Sequence, residues 1–434
     1  MNSANNQNLE RTARLRYRQR KEMAFRVGII SAVSIAVLGL FVILFVLVSH
    51  GIGGFYRTVV KLDVYFDKDY LHLNEKSSRK DIYDANFTGL VKNSFKTLFP
   101  DVLDRGHQRE LTSLLSHKAE LVLRRMVMRD LSLLGTTKTV LLPLSAKVDQ
   151  LQKGYIKIDS LNSANKDSQH QLLSDRQLSY YDRLLKMQRV SVPFNTGFFT
   201  QADSTSPEFA GIMGGVMGSF YTLLICFLLS FPIGVSAAVY LEEFAPKNRL
   251  VDFIEININN LASVPSIIFG LLGLSVFCNT FGVPRGTSLV YGMVLALMTL
   301  PIIIIACRVS IKAVPSSVKM GAVALGASPL QVVFHHVLPL AMPGTLTGTI
   351  IGLARALGET APLLLIGALA FNTQIPISPI DFSTPLPAQI YLWVERPERG
   401  FEERAAAAIL VILAFLICMN MIAVVLRHRF EKRW

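Results

Sequence analysis

The sequence predicts an all-α polytopic membrane protein: six transmembrane helices, with a small α+β domain inserted after the first. Three observations carry this fold class. Of the 434 residues, 51% are hydrophobic and only 17% are charged, against about 25% in an ordinary soluble domain. Six apolar runs each approach the roughly 20 residues that a bilayer requires. Between the first two runs lies a long polar stretch that holds both strand-like alternation and helical spacing.

The chain opens on a basic tail, residues 1–26, with Arg11, Arg14, Arg16, Arg18, Arg20, Lys21 and Arg26. The apolar run 27–48 is longer than the roughly 7–15 apolar residues of a signal peptide, and "SHGIGGFYR" after it offers no cleavage site. It reads as an uncleaved helix with its basic end in the cytoplasm. Residues 51–189 form the predicted extracytoplasmic α+β domain and linker. In "VKLDVYFD", Val60, Leu62, Val64 and Phe66 alternate with Lys61, Asp63, Tyr65 and Asp67, the period of a half-buried strand. In "GHQRELTSLLSHKAELVLRRMVMRDL", Leu115, Ala119, Val122 and Met126 share one side of a predicted helix. "TKTVLLPLS" reads as a second strand and "DSLNSANKDSQHQ" as a turn-rich linker. His107, His117 and His170 are scattered and read as solvated, so no metal or catalytic motif is predicted here.

Residues 190–426 form the predicted five-span core, with spans at 212–240, 256–277, 289–307, 344–371 and 405–426. A basic tail, 427–434, follows. Six spans place both termini on one side of the membrane. Lys247, Arg249, Arg308, Lys312, Lys319, Arg427, Arg429, Lys432 and Arg433 then all fall in cytoplasmic segments, as the positive-inside rule requires. Arg396, Arg399 and Arg404, before span six, run against it. The same rule accounts for the formal charge of +13, and with no binding motif present nucleic acid is not expected as a partner. Cys226, Cys278, Cys307 and Cys418 lack zinc or disulfide spacing and read as small packing residues. No P-loop is present, and no cofactor or catalytic residue is predicted.

The fifth span contains "ARALGETAPLLLIGA". One unpaired charge at mid-bilayer costs about 2.5–3.5 kcal/mol, yet Arg355 and Glu359 both lie in this run. Four residues apart, they share a helical face. Gly344, Gly348 and Gly352 form a stripe that admits a close helix, so the charged face is expected to look inward. Two readings fit. The pair fixes helix packing, or it lines a translocation path. In the second, the planar, always-charged guanidinium of Arg355 takes an oxyanion. Glu359 keeps it partly neutralised so that the anion can leave. Thr360 adds a hydroxyl and Pro362 is expected to kink the span. In span three, Glu255, Asn259 and Ala262 share a side, with Asn257 and Asn260 beside them. They line a vestibule or cross-link helices, and Pro265 is expected to bend the span. Arg285 is either an anion contact or an interfacial anchor.

The loop 308–342 reads as a helix–turn–helix elbow. Val318, Ala322, Leu325 and Pro329 keep near-helical spacing, Gly326 supplies the turn, and a second short helix is expected to end near Pro339. Such an elbow docks a partner or merely connects spans. "ALGASPLQVVFHHVLP" resembles the coupling motif of importer-type ABC permeases. Gly326, Leu338 and Pro339 match it. Met320, Gly321 and Ala322 stand where that family carries EAA, so Met320 replaces the glutamate, and His336 stands at an apolar position. "SVPFNTGFFT", "GVSAAVYLEEFAPKNRLVDFIEININNLASVPSIIFGLLGL" and "RALGETAPLLLIGA" resemble the GETAP-containing permease subunit of the phosphate-specific ABC importer, over about 190–426. The resemblance implies a six-span ABC importer permease fold in a bacterial inner membrane. It implies phosphate as substrate and four partners: a second phosphate permease subunit, two ATP-binding subunits and a periplasmic phosphate-binding protein. ATP hydrolysis then belongs to the partners. The large polar region resembles an extended N-terminal form of that family. Two other functions stay open: a membrane-anchored sensor with the outer domain as receptor, and a permease for molybdate, sulfate or phosphonate.

Overall fold

The computed structural model describes residues 2–74, 77–156, 173–368 and 371–430. Helix α1 (Asn2–Gly54) carries the first apolar run, with its side chains largely exposed. Near its end, Gly51, Gly53 and Gly54 face Ala406, Glu403 and Ala407 of the last helix. Small residues let two helix backbones approach, which explains the glycines of "SHGIGG".

The polar region is built on β1 (Val59–Tyr65), the centre of an antiparallel sheet in the order β2-β1-β3. Its partners are β2 (Thr137–Pro143) and β3 (Val190–Ser191). Val60, Leu62, Val64 and Phe66 are fully buried, the face that the alternation predicts. Helices α2 (Phe87–Thr97), α3 (Arg105–Thr112), α4 (Glu120–Arg129), α5 (Ala146–Gln152) and α6 (Asp175–Lys186) complete the unit. Phe95, Leu111, Leu123 and Leu184 pack with the buried strand face.

Two details differ from expectation. The helix predicted through Leu115 and Met126 is two helices, α3 and α4. Between them Leu115 bridges Leu144, and the Ser145 N–H donates to the Leu114 carbonyl. The end of β2 thus takes backbone groups that an unbroken helix would pair internally. Val190 and Ser191 also complete the sheet, so this unit runs past the expected border at 189. The expected linker and His170 lie outside the described residues, as do Lys432 and Arg433.

A short helix, α7 (Thr196–Thr200), leads into the apolar bundle. The bundle comprises α8 (Met213–Val239), α9 (Arg249–Ala262), α10 (Ser266–Leu272), α11 (Ser288–Lys312), α12 (Ser316–Ala324), α13 (Leu338–Gly358), α14 (Ala361–Ile366), α15 (Leu386–Val394) and α16 (Gly400–Phe430). Helix α11 packs against both α8 and α13, and α13 against α16. Among the described residues, five helices are long and apolar enough to cross a membrane, and a sixth crossing is possible if one bent pair counts as a single span. That pair is span three. It does not merely bend at Pro265: the chain turns by 103° between α9 and the helix from Ser266 to Thr280.

The second arm of the elbow also differs. It does not end at Pro339 but continues into span five as one run, Pro329–Gly358. The hydrogen-bond register slips just before the proline. The Leu338 N–H reaches the Val333 carbonyl, five residues back, and Pro339, which has no N–H, follows without breaking the helix.

The arginines before span six occupy the junction of the two units. Arg396 Nη2 lies 3.4 Å from Asp203 Oδ2, and its guanidinium sits 4.4 Å from the Phe401 ring centre. Arg404 donates to the Pro207 carbonyl at 3.1 Å and to the Gly54 carbonyl. Lys153 of the polar region joins Asp149 at 2.6 Å and Glu403 of α16 at 2.7 Å. These cations are internal counter-ions of a buried interface rather than free loop charges.

Candidate functional site

Span five is broken where its charges lie. Helix α13 stops at Gly358, Glu359 is extended (φ −79°, ψ 119°), and α14 starts at Ala361. The Glu359 N–H still reaches the Ala356 carbonyl at 3.2 Å, and the Leu364 N–H reaches the Thr360 carbonyl at 3.0 Å. Pro362 is therefore in the first turn of α14, where a missing N–H costs nothing, and the break sits ahead of it. Arg355 is in the last turn of α13, the end that favours a cation. Its Nε is 3.7 Å from Glu359 Oε1, a loose contact, and the arginine side chain is 55% exposed. Among the described residues it has no other ion-pair partner.

Two broken spans meet here. Helix α10, the second half of span three, packs on α14. Gly270 faces the backbone of Pro362, and Gly273 faces Val294 and Ile366. On the other side of α13, Gly344, Gly348 and Gly352 face Ser310, Ala306 and Ile302 of α11. The stripe and the charges thus lie on different faces: glycines against α11, Arg355 out to the surface of this chain.

A second charged group holds the elbow. Arg308 Nε meets Glu242 Oε1 at 2.5 Å, and its Nη2 meets Glu255 Oε1 at 2.6 Å. Lys319 of α12 meets Glu243 Oε1 at 2.5 Å. Glu242 and Glu243 lie in a π turn that extends α8. Gly326 turns the chain with φ +85°, a conformation that glycine adopts without strain. Ala322 is buried under the elbow, while Met320, Val323, Leu325 and Phe334 project from it.

The inner-membrane component of binding-protein-dependent transport systems matches residues 230–434, and a domain of unknown function, DUF3333, matches residues 12–161. A probable ABC transporter permease of Bacillus subtilis, YqgI, is 32% identical over 45% of this chain and 69% of its own length. The chain belongs to this family of ABC transporter permeases. The phosphate transport permeases PstA and PstC of Haemophilus influenzae are 31% and 33% identical to the permease described here, over 51% and 50% of this chain and 77% and 75% of theirs.

The structure brings some of the sequence-predicted residues of this permease together and separates others. Arg355, Glu359 and Thr360 stand at one break. Glu255 is engaged by Arg308 at the elbow, which sets it apart from Arg355. Asn259 is exposed on α9, and Pro265 lies at the sharp turn that ends it. Leu338 and Pro339 are at the base of α13, behind the exposed elbow tip. Lys319, one of the elbow's cations, is held by Glu243. Sequence reasoning missed the Glu242–Arg308 pair. Its one signal was two adjacent carboxylates closing an apolar span, a costly placement without a cation nearby. Among the described residues no group of His, Cys, Asp or Glu is arranged to hold a metal.

Proposed function

We propose that this permease is the translocation subunit of an ATP-driven phosphate importer, with Arg355 a contact on the anion path and Glu359 its partner in tuning release. The observation that carries the reading is the broken helix at Glu359 with a half-exposed arginine beside it. Interrupted backbone at membrane depth is tolerated only where it is covered by protein or lines a water-filled cavity, and discontinuous helices mark substrate sites in transporters. An arginine facing lipid would cost several kcal/mol (about 2.5–3.5 on insertion scales). A second phosphate permease subunit across that face would enclose it and complete the path. Thr360 contributes a hydroxyl at the break. Relatives that transport phosphate support the choice of anion.

Both termini are cytoplasmic in this reading, and the α+β unit lies outside, on the side that receives a periplasmic phosphate-binding protein. The elbow faces the cytoplasm and docks one of the two ATP-binding subunits through the apolar tip around Met320, Gly321 and Leu325. The test is phosphate uptake by the assembled transporter in vesicles. Arg355→Ala lowers uptake at least about tenfold, the scale of one lost charge-assisted contact, and Arg355→Lys restores part of it. Normal uptake by Arg355→Ala would overturn the path role. Sulfate or molybdate outcompeting phosphate in the same assay would reassign the substrate.

A further inference from the structure

A cavity of about 840 Å³ opens where the α+β unit meets the bundle, within the range of small-molecule sites. Arg57, just past α1, lines it with Arg125 and Arg129, one turn apart on α4. Thr196 and Thr200 of α7 face them, and the loop 373–377, which follows α14, closes one side. Among the described residues, no carboxylate lines this cavity. Elsewhere on the same unit, arginines have acidic partners: Arg183 meets Asp101 at 2.7 Å and Arg189 meets Asp63 at 2.8 Å.

The three cavity arginines have no ion pair among the described residues. Arg57 Nε is buried without any hydrogen-bond partner. One Arg125 N–H reaches the Gln201 amide oxygen at 2.8 Å when that amide also donates to the Phe209 carbonyl. Burial, then the neighbouring Arg404 and Arg125, pull Arg57 below its ordinary value, and burial, then Arg129, does the same to Arg125. Like charges gathered in a partly desolvated hollow repel one another, and guanidiniums do not escape by deprotonating. A small multivalent anion relieves that repulsion and fills the open donors.

We infer that this cavity is a second oxyanion site, which binds inorganic phosphate at the outer-domain junction before it reaches the break in span five. The inference rests on the import reading for its ligand, but the donor set stands independently of it. A concave cationic hollow raises the local anion concentration. Its width and partial openness suit loose capture rather than trapping, as onward passage requires. Loop 373–377 joins the cavity wall to α14 and so links this site to Glu359.

The experiment is calorimetric titration of the full chain in lipid nanodiscs with inorganic phosphate, at low ionic strength because screening weakens such binding. Arg57→Gln with Arg125→Gln weakens binding at least about tenfold. If that double variant does not fold, Arg125→Gln and Arg129→Gln, both at exposed positions, each weaken it severalfold. Arg79→Gln, outside the cavity, leaves it unchanged. Phosphate binding that is absent in the wild type, or equal in all variants, overturns the site. Uptake by the assembled transporter separates the two readings. If phosphate binds through these arginines but is not transported, the import reading falls and the site stands. If transport is normal and the substitutions leave binding unchanged, the site falls and import stands.

Discussion

A Cβ on Gly270 would stand 2.8 Å from the Pro362 Cα and 3.1 Å from its carbonyl oxygen. Both atoms are backbone, so neither can rotate away. Gly270→Ala therefore forces α10 and α14 apart beside the break in span five. We expect a loss of about 1–3 kcal/mol, the usual cost of overpacking, seen as a lower thermal midpoint of the purified protein and reduced uptake. Gly321 is the contrast. A Cβ there meets nothing within 4 Å, so Gly321→Ala gains about 0.5–1 kcal/mol of helix stability. A lower midpoint for Gly321→Ala, or an unchanged one for Gly270→Ala, would refute this reasoning. The stripe Gly344, Gly348, Gly352 was legible because its spacing repeats with the helix. Gly270 was not, because Gly270 and Gly273 in "SIIFGLLGL" are a single pair, too short to show a repeat, and the partners they face lie on other spans.

At the scale of elements, lengths and faces were legible and interruptions were not. Strand β1 declared itself by alternation, and α8, α11 and α16 by apolar length. The break at Glu359 has Gly358, Thr360 and Pro362 as local signals; the proline marks an irregularity, but a kink and a full interruption look alike in sequence, and the partner of α14, helix α10, lies on another span. The elbow likewise depends on partners far apart in sequence. Arg308, on α11, holds Glu242 after α8 and Glu255 on α9 at once, and Lys319 ties α12 to the same π turn through Glu243. Removing the arginine leaves Glu255 without this partner and Glu242 with only the longer 3.3 Å contact from Lys312. Arg308→Ala should cost about 3 kcal/mol, and should loosen the elbow so that ATP hydrolysis continues while transport per ATP falls. Arg308→Lys keeps the charge but loses the two-sided fork, so it restores stability only in part. The ratio of uptake to hydrolysis in the assembled transporter measures this, and an unchanged ratio for Arg308→Ala would count against the elbow as a transmitter.

Across the whole molecule, the exception to the positive-inside rule was the sequence's clearest hint of how the two units join. Arg396 and Arg404 looked misplaced because their counter-ions lie in the segment around 203–208 and in the α+β unit, which composition alone does not pair with them. The junction is also where buried carboxyls collect. Burial raises Asp203 above the ordinary carboxyl range, although Trp393 Nε1 donates to it at 2.8 Å and Arg396 and Lys118 attract it. Burial raises Glu208 likewise, against a 3.2 Å hydrogen bond from Ser116 Oγ and the attraction of Arg404. A raised acid holds its proton in the folded junction at pH values where the unfolded chain has lost it. Stability therefore falls as pH rises from the ordinary carboxyl values, 3.8 and 4.5, through the raised ones. Exposed Asp63, Asp101, Asp104 and Asp130 are lowered instead, each chiefly by its hydrogen bonds. Their contribution is present above the ordinary value and disappears only in stronger acid. The lowered acids act below the ordinary carboxyl values and the raised ones above them, so above those values it is the junction carboxyls that set the slope. The thermal midpoint of the full protein should be higher at about pH 5 than at about pH 8, and Glu208→Gln should flatten the difference. A midpoint that rises with pH across this range, or a slope unchanged by Glu208→Gln, would show that burial of these carboxyls does not govern how the two units hold together.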